Sequence, residues 1–170
     1  MTVADIFAKI NAHMIEGIMF HSQMAEYFAF LNLGEYEKLH KLHACHEFTT
    51  HSGWVSDYVC DYNKLLPEYS IDNISVIPSS WRNHVKQDVD TATKQRAVKD
   101  GFEKWRDWEK QTKELYEKSY SELITIGEIS AANSVCNLIY EVAGELRSAE
   151  RKLIDLAAVD YDMGAIIAAQ

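Results

Sequence analysis

The stretch PEYSIDNISVIPSS (67–80) decides the architecture. It carries the chain's two prolines, and its Ser, Asp and Asn residues are turn formers. Ile71, Ile74, Val76 and Ile77 give it apolar groups that can lie along a helical surface. Antiparallel helices are joined by roughly two to five residues, and this stretch is far longer. It therefore predicts an extended crossover. Both flanks carry helical periodicity, so the crossover joins two helical hairpins, which gives an all-α four-helix bundle with one long connection. A plain up-and-down bundle needs no such stretch.

Before the crossover, Thr2 and Asp5 form a capping-box-like start. Ile6, Ile10, Met14, Gly17, His21, Met24, Phe28 and Leu31 then recur at three- and four-residue steps, which predicts a first helix over 3–33 ended by Gly34. A second helix follows at once over 35–66 and is closed by Pro67. Beyond the crossover, a third helix is expected over 81–127. It starts from Trp81, Val85, Val89 and Ala92, and its clearest face is Phe102, Trp105, Trp108, Thr112, Leu115, Tyr116, Ser119, Tyr120 and Leu123. At about 1.5 Å per residue that helix would be roughly 70 Å long against roughly 45 Å for its neighbours, so a kink or overhang is expected near Gly101. Gly127 ends it, and Ser130 is the expected cap of a fourth helix over 130–159. Val135, Leu138, Ile139, Val142, Leu146, Ala149, Leu153, Leu156 and Ala157 form the apolar stripe of that helix. The apolar tail after Asp160 is expected to dock on the bundle or on a neighbouring subunit.

The 170 residues read as one helical domain, 1–170, long enough to bury a core. A net charge of −9 argues against nucleic-acid binding, which needs a basic patch, and suits the attraction of cations. No apolar run reaches the ~18 residues of a membrane span, and the N-terminus lacks a signal-peptide pattern. A cytoplasmic protein that self-associates into a homo-oligomer is expected. Cys45, Cys60 and Cys136 show no CxxC spacing and read as free thiols, most simply small buried apolar groups. There is no Ser/His/Asp arrangement, phosphate loop or glycine-rich cofactor fingerprint, so the substrate is left open.

The chemistry concentrates in HKLHACHEFTTHSGWVSDY (40–58), which holds four of the seven histidines. Helical phase places His40, Ala44, Glu47, His51, Trp54, Tyr58 and Leu65 on one stripe. A buried stripe that carries Glu and His is costly unless those groups are paired or bind a metal. Folding the first two helices about Gly34 sets His21 level with Glu47, with His51 one turn deeper and His43 one turn away. Counting from the turn at Gly127 brings Glu109 and Glu145 to the same height. The candidate metal ligands are therefore His21, Glu47, His51, His43, Glu109 and Glu145. This mixed N/O set suits iron or manganese, and zinc after them. A metal-free polar network of the same residues is the other reading. His13, His40, His46 and His84 are expected at the surface or rim.

GEISAANSVCNLIYEVAGELRSAERKL (127–153), with Asn133 and Glu141, resembles the short turn and fourth helix of ferritins. The resemblance implies a ferritin-like antiparallel four-helix bundle with a long crossover between the second and third helices. It also implies a di-metal site of iron or manganese in the bundle core and an oxidase or ferroxidase-like activity. Ferritin-like di-iron proteins place a Glu on two helices and Glu-x-x-His on the other two. This chain departs from that plan: it has Glu47-x-x-x-His51, Glu141-x-x-Gly144, and His21 as the inward residue of the first helix. His43-x-x-x-Glu47 with His51 also resembles hemerythrin-type bundles, but the third and fourth helices offer no histidine beyond His84. Two functions follow: a ferritin-like metal-binding protein, or a non-catalytic bundle with a structural His/Glu network that acts in assembly or partner binding.

Overall fold

The structure, a computed structural model, describes residues 2–52, 55 and 90–169. The crossover expected at 67–80, most of the second helix beyond residue 52, the residues 81–89 and His84 lie outside the described residues. Five helices are described: α1 (Val3–Phe30), α2 (Gly34–His46), α3 (Thr91–Thr125), α4 (Ile129–Ala158) and the short α5 (Met163–Ala168). A π-helical turn, Glu47–Ser52, continues α2. No strand occurs among the described residues. None of these helices is long and apolar enough to cross a membrane.

The ends of the helices have identifiable causes. Thr2 Oγ1 accepts from the Asp5 backbone N–H at 3.2 Å, and the Asp5 carboxylate accepts from the Thr2 N–H at 2.8 Å, which closes the expected capping box. Three helices finish in a Schellman turn with a left-handed residue directly after the cap, and after α4 a second, Tyr161 (φ 54°), follows it. Gly127 (φ 82°) serves α3, as its sequence position predicts. Asn32 (φ 60°) ends α1, where the Leu33 N–H reaches Phe28 O and the Asn32 N–H reaches Ala29 O. Asp160 (φ 50°) does the same for α4. Gly34 therefore does not terminate the first helix; it opens the second. Ser130 is not a cap either, since α4 starts at Ile129 with no side-chain cap.

α3 begins at Thr91, where an extended Asp90 accepts from the Thr93 N–H at 2.7 Å, rather than near residue 81. It passes Gly101 without a break. Gly101 is small for a packing reason. A Cβ there would stand 2.9 Å from Cζ of Phe28 and 3.0 Å from Cε1 of Tyr27, both rings of α1.

α1 pairs with α2, α3 pairs with α4, and the two pairs meet mainly through α1 and α3. The apolar core divides in two. One cluster holds Phe20, Met24, Phe28, Leu31, Val98, Phe102, Trp105 and Leu156; the other holds Ile6, Phe7, Ile10, Met14, Tyr116, Leu123, Val135 and Val142. The gap between them falls after Met14 on α1, after Trp105 on α3 and after Val142 on α4. The tail docks on the bundle: Met163 and Ile166 of α5 are buried in the first cluster. Cys45 is exposed and Cys136 half-buried, so neither is the small core group expected.

Gly101→Ala tests the close approach of α1 and α3. Helix propensity alone would favour Ala by about 1 kcal/mol. Overpacking against two buried rings costs about 1–3 kcal/mol, and a net loss of stability in urea unfolding is expected. Gly34→Ala, with nothing within 4 Å of the new methyl, is the control and should not destabilise.

Candidate functional site

The gap between the two apolar clusters is filled by histidines and glutamates. His21, His40, Glu47, His51 and Glu109 are all buried there, together with Thr112. All six residues expected from the sequence lie in this layer, but their pairing differs from expectation. Because the hairpin turns at Asn32–Leu33 and not at Gly34, α1 is displaced by about one helical turn against α2. Gly17, not His21, faces Glu47: a Cβ on Gly17 would lie 3.5 Å from the Glu47 carboxyl carbon.

The outer half of the layer is built on the π-helical turn. An i→i+5 turn is wider than an α-turn and takes up one extra residue. Glu47 and His51, four residues apart, share a face, and His51 Nδ1 lies 3.1 Å from Oε2 of Glu47. Glu141 of α4 reaches across to both nearby histidines. Its Oε1 is 2.9 Å from Nε2 of His46, and its Oε2 is 2.9 Å from Nε2 of His51. The second contact lacks the alignment of a hydrogen bond, so the buried His51 Nε2 makes none. The His46 and His51 rings meet edge to face at 4.6 Å. One donor atom each from His46, His51 and Glu141 lies within 4.8 Å of the other two. His46 and Glu141 are about 40% exposed and His51 is 5% exposed, so the group runs from solvent inward.

The inner half pairs differently. His21 Nδ1 is 3.0 Å from His40 Nδ1, and His21 Nε2 is 3.5 Å from Oε1 of Glu109. The same Glu109 oxygen accepts from the Trp105 indole N–H at 2.8 Å. His43 Nδ1 lies 3.3 Å from Oε1 of Glu145. His13 stacks on Trp108 and contacts the Thr112 hydroxyl at 2.8 Å. His40, expected at the rim, is instead fully buried, stacked on Phe28 and edge-on to Trp105. His13 is also largely buried. The signal for His40 was present in the sequence, since it shares the stripe of Glu47 and His51. Glu141 sits one turn before Glu145 and was read only as part of a departure from the ferritin plan.

Charge in the layer is set by burial and by neighbours. Burial lowers His21 to about 3 and His13 to about 4, and holds His40 well below the ordinary histidine value. Burial also opposes charge on His51, but its contacts with Glu47 and Glu141 outweigh it and raise the ring to about 9. His43 is raised against burial by Glu145. Glu109 is raised well above the ordinary carboxylate value by burial and by the charge of Glu145. Glu141 and Glu145 are lowered by their histidine partners, against the effect of burial. The metal-free layer thus sets a protonated His51 among carboxylates, with His43 and Glu109 both shifted toward holding a proton. Cations can replace those protons.

No family model matches the chain, and no curated protein matches it in sequence. Among solved structures it is similar to the open-pore ferritin of the hyperthermophilic archaeon Archaeoglobus fulgidus. The TM-score is 0.79 at 15% identity, over 97% of this chain and 90% of that one. It is equally similar to a closed form of that ferritin engineered by site-directed mutagenesis, with the same score, identity and coverage. The chain therefore has the ferritin-like four-helix-bundle fold.

Stability of the metal-free protein should fall on both sides of neutrality. Unfolding lets His13 and His21 regain a pKa near 6.5, so the unfolded chain binds more protons than the folded one below that pH. Their contribution is complete above pH 6.5 and is lost as the pH falls toward about 4 and about 3. His51 behaves oppositely: its contribution is complete below 6.5 and is lost as the pH rises through about 9. Urea midpoints measured across this range should show both limbs, and His51→Gln should flatten only the alkaline one.

Proposed function

We propose that this ferritin-fold chain is a metal-binding protein that takes a divalent transition metal in its His/Glu layer. The observation that carries the reading is the convergence of His46, His51 and Glu141, with the buried His51 Nε2 left without a hydrogen bond. Among the described residues that nitrogen has an ion-pair contact with Glu141 at 2.9 Å but no hydrogen bond, and a buried nitrogen left so is open to a further ligand. Two imidazoles and a carboxylate suit iron, manganese or zinc.

Glu109, Glu145, His43 and His21 lie farther in, where a second metal of a di-metal centre would sit. Such a centre would supply oxidase or ferroxidase-like chemistry, the class that the ferritin fold suggests. A structural network is the competing reading for this inner half. It is favoured by the partners that His21, His43, Glu109 and Glu145 already have within the chain. Self-association belongs to the same proposal and is supported by the exposed Leu42, Phe48, Tyr140 and Ile154.

The test is metal analysis and reconstitution of purified protein with Fe(II), Mn(II) and Zn(II). At least one equivalent of bound metal is expected, and His51→Ala or Glu141→Ala should weaken its binding by at least about tenfold. His21→Gln separates the two halves: loss of a second equivalent supports a di-metal centre, and unchanged stoichiometry supports the structural network. Oxygen consumption on adding Fe(II) measures the oxidase reaction. A protein that takes up none of the three metals does not have this function.

A further inference from the structure

Glu47 stands at the ligand position of the Glu-x-x-x-His segment, yet its contact is with the wrong side of His51 for a shared metal. Its Oε2 faces Nδ1 of His51 at 3.1 Å, while Nε2 of the same ring faces Glu141 and the neighbouring His46. The two nitrogens of an imidazole point in divergent directions, so a cation held between His46, His51 and Glu141 lies across the ring from this carboxylate oxygen. We propose that Glu47 is a positioning residue and not a ligand: it accepts the Nδ1–H of His51 and presents Nε2 to the metal. This rests on the metal-binding reading above.

Three features of the structure support the assignment. A carboxylate that accepts the far N–H of a metal-binding histidine fixes the tautomer and orientation of the ring. Glu47 and His51, four residues apart, lie on one helical face, which sets the carboxylate beside Nδ1. Gly17 brings no side chain of its own against Glu47: a Cβ there would lie 3.5 Å from the Glu47 carboxyl carbon. Among the described residues, Glu47, Glu141 and His46 contact His51, and of these Glu47 contacts Nδ1.

The experiment is long-range 1H–15N NMR of the imidazoles in the full chain, with Zn(II) as the diamagnetic probe, on wild type, Glu47→Gln and Glu47→Ala. In zinc-loaded wild type, His51 is expected to carry its proton on Nδ1 and zinc on Nε2. Glu47→Ala should weaken zinc binding by about 10–100-fold, and Glu47→Gln, whose amide oxygen can still accept the N–H, should recover most of it. Zinc on Nδ1, or equal loss in both variants, would make Glu47 a ligand and overturn the assignment. Metal-free spectra taken above the His51 pKa of about 9 keep the two questions apart. There the wild type should hold the Nδ1–H tautomer and Glu47→Ala should lose that preference, whether or not zinc binds. An Nε2–H tautomer in the wild type overturns the role of Glu47, whereas absence of zinc binding overturns only the metal reading.

Discussion

The cost of burying charge between two hydrocarbon clusters is the constraint on which this bundle depends. The α1–α2 hairpin supplies the imidazoles His13, His21, His43, His46 and His51. The α3–α4 hairpin supplies Glu109, Glu141 and Glu145 opposite four of them, and Thr112 opposite His13. These five contacts cross the interface, and the pairs within a hairpin, Glu47–His51, His21–His40 and Trp105–Glu109, hold several of the same groups from the other side. Removing one partner of a buried pair costs several kcal/mol, typically about 3–5, because an uncompensated charge remains. The polar layer therefore stabilises the apposition of the hairpins less than it penalises every other apposition. It acts as a register.

The two apolar clusters supply the affinity that the polar layer does not. Phe28, Phe102 and Trp105 pack at one end, and Ile6, Phe7, Ile10 and Leu123 at the other, all fully buried or nearly so. Their placement fixes the height of the gap along α1, α3 and α4. Within it, burial works against charge on the groups farthest from solvent: it lowers His21 and His40 and raises Glu109. Charge is favoured where carboxylate or imidazole partners outweigh burial, as at His51 and Glu141. This gradient runs along the layer toward the opening at His46 and Glu141.

Most of the helical framework was legible in the sequence because its signals are local. The capping box at Thr2 and Asp5 and the glycine turn at Gly127 act within one helical turn, and the structure retains both. Errors arose where a signal had competitors. Asn32 and Gly34 both allow a left-handed turn, and the choice of Asn32 shifts α1 against α2 by about one turn. That shift turns the expected His21–Glu47 pair into the pairs His21–His40 and Gly17–Glu47. The inward positions of Glu47 and His51 followed from helical phase and hold. The π-helical turn between them was not legible, because an inserted residue looks in sequence like a missing motif. The start of α3 was placed too early because Trp81, Val85, Val89 and Ala92 carry helical spacing across the boundary, which the extended backbone at Asp90 marks.

The fold and the site are separable here. At 15% identity the bundle superposes on ferritin structures over nearly its whole length, which requires only that apolar residues recur at matching heights. What lies in the gap is set residue by residue, and a shared fold does not carry it over. The helix that would be asked for a carboxylate opposite Glu47 brings Gly17, which has no ligand atom. The converging donors then come from only two helices, α2 with its π-turn and α4. A centre assembled from two helices opens at the seam between them, where His46 and Glu141 are about 40% exposed, and is not enclosed at the bundle axis. With no ligand atom at Gly17, the donors that converge among the described residues are His46, His51 and Glu141, at the edge of the bundle.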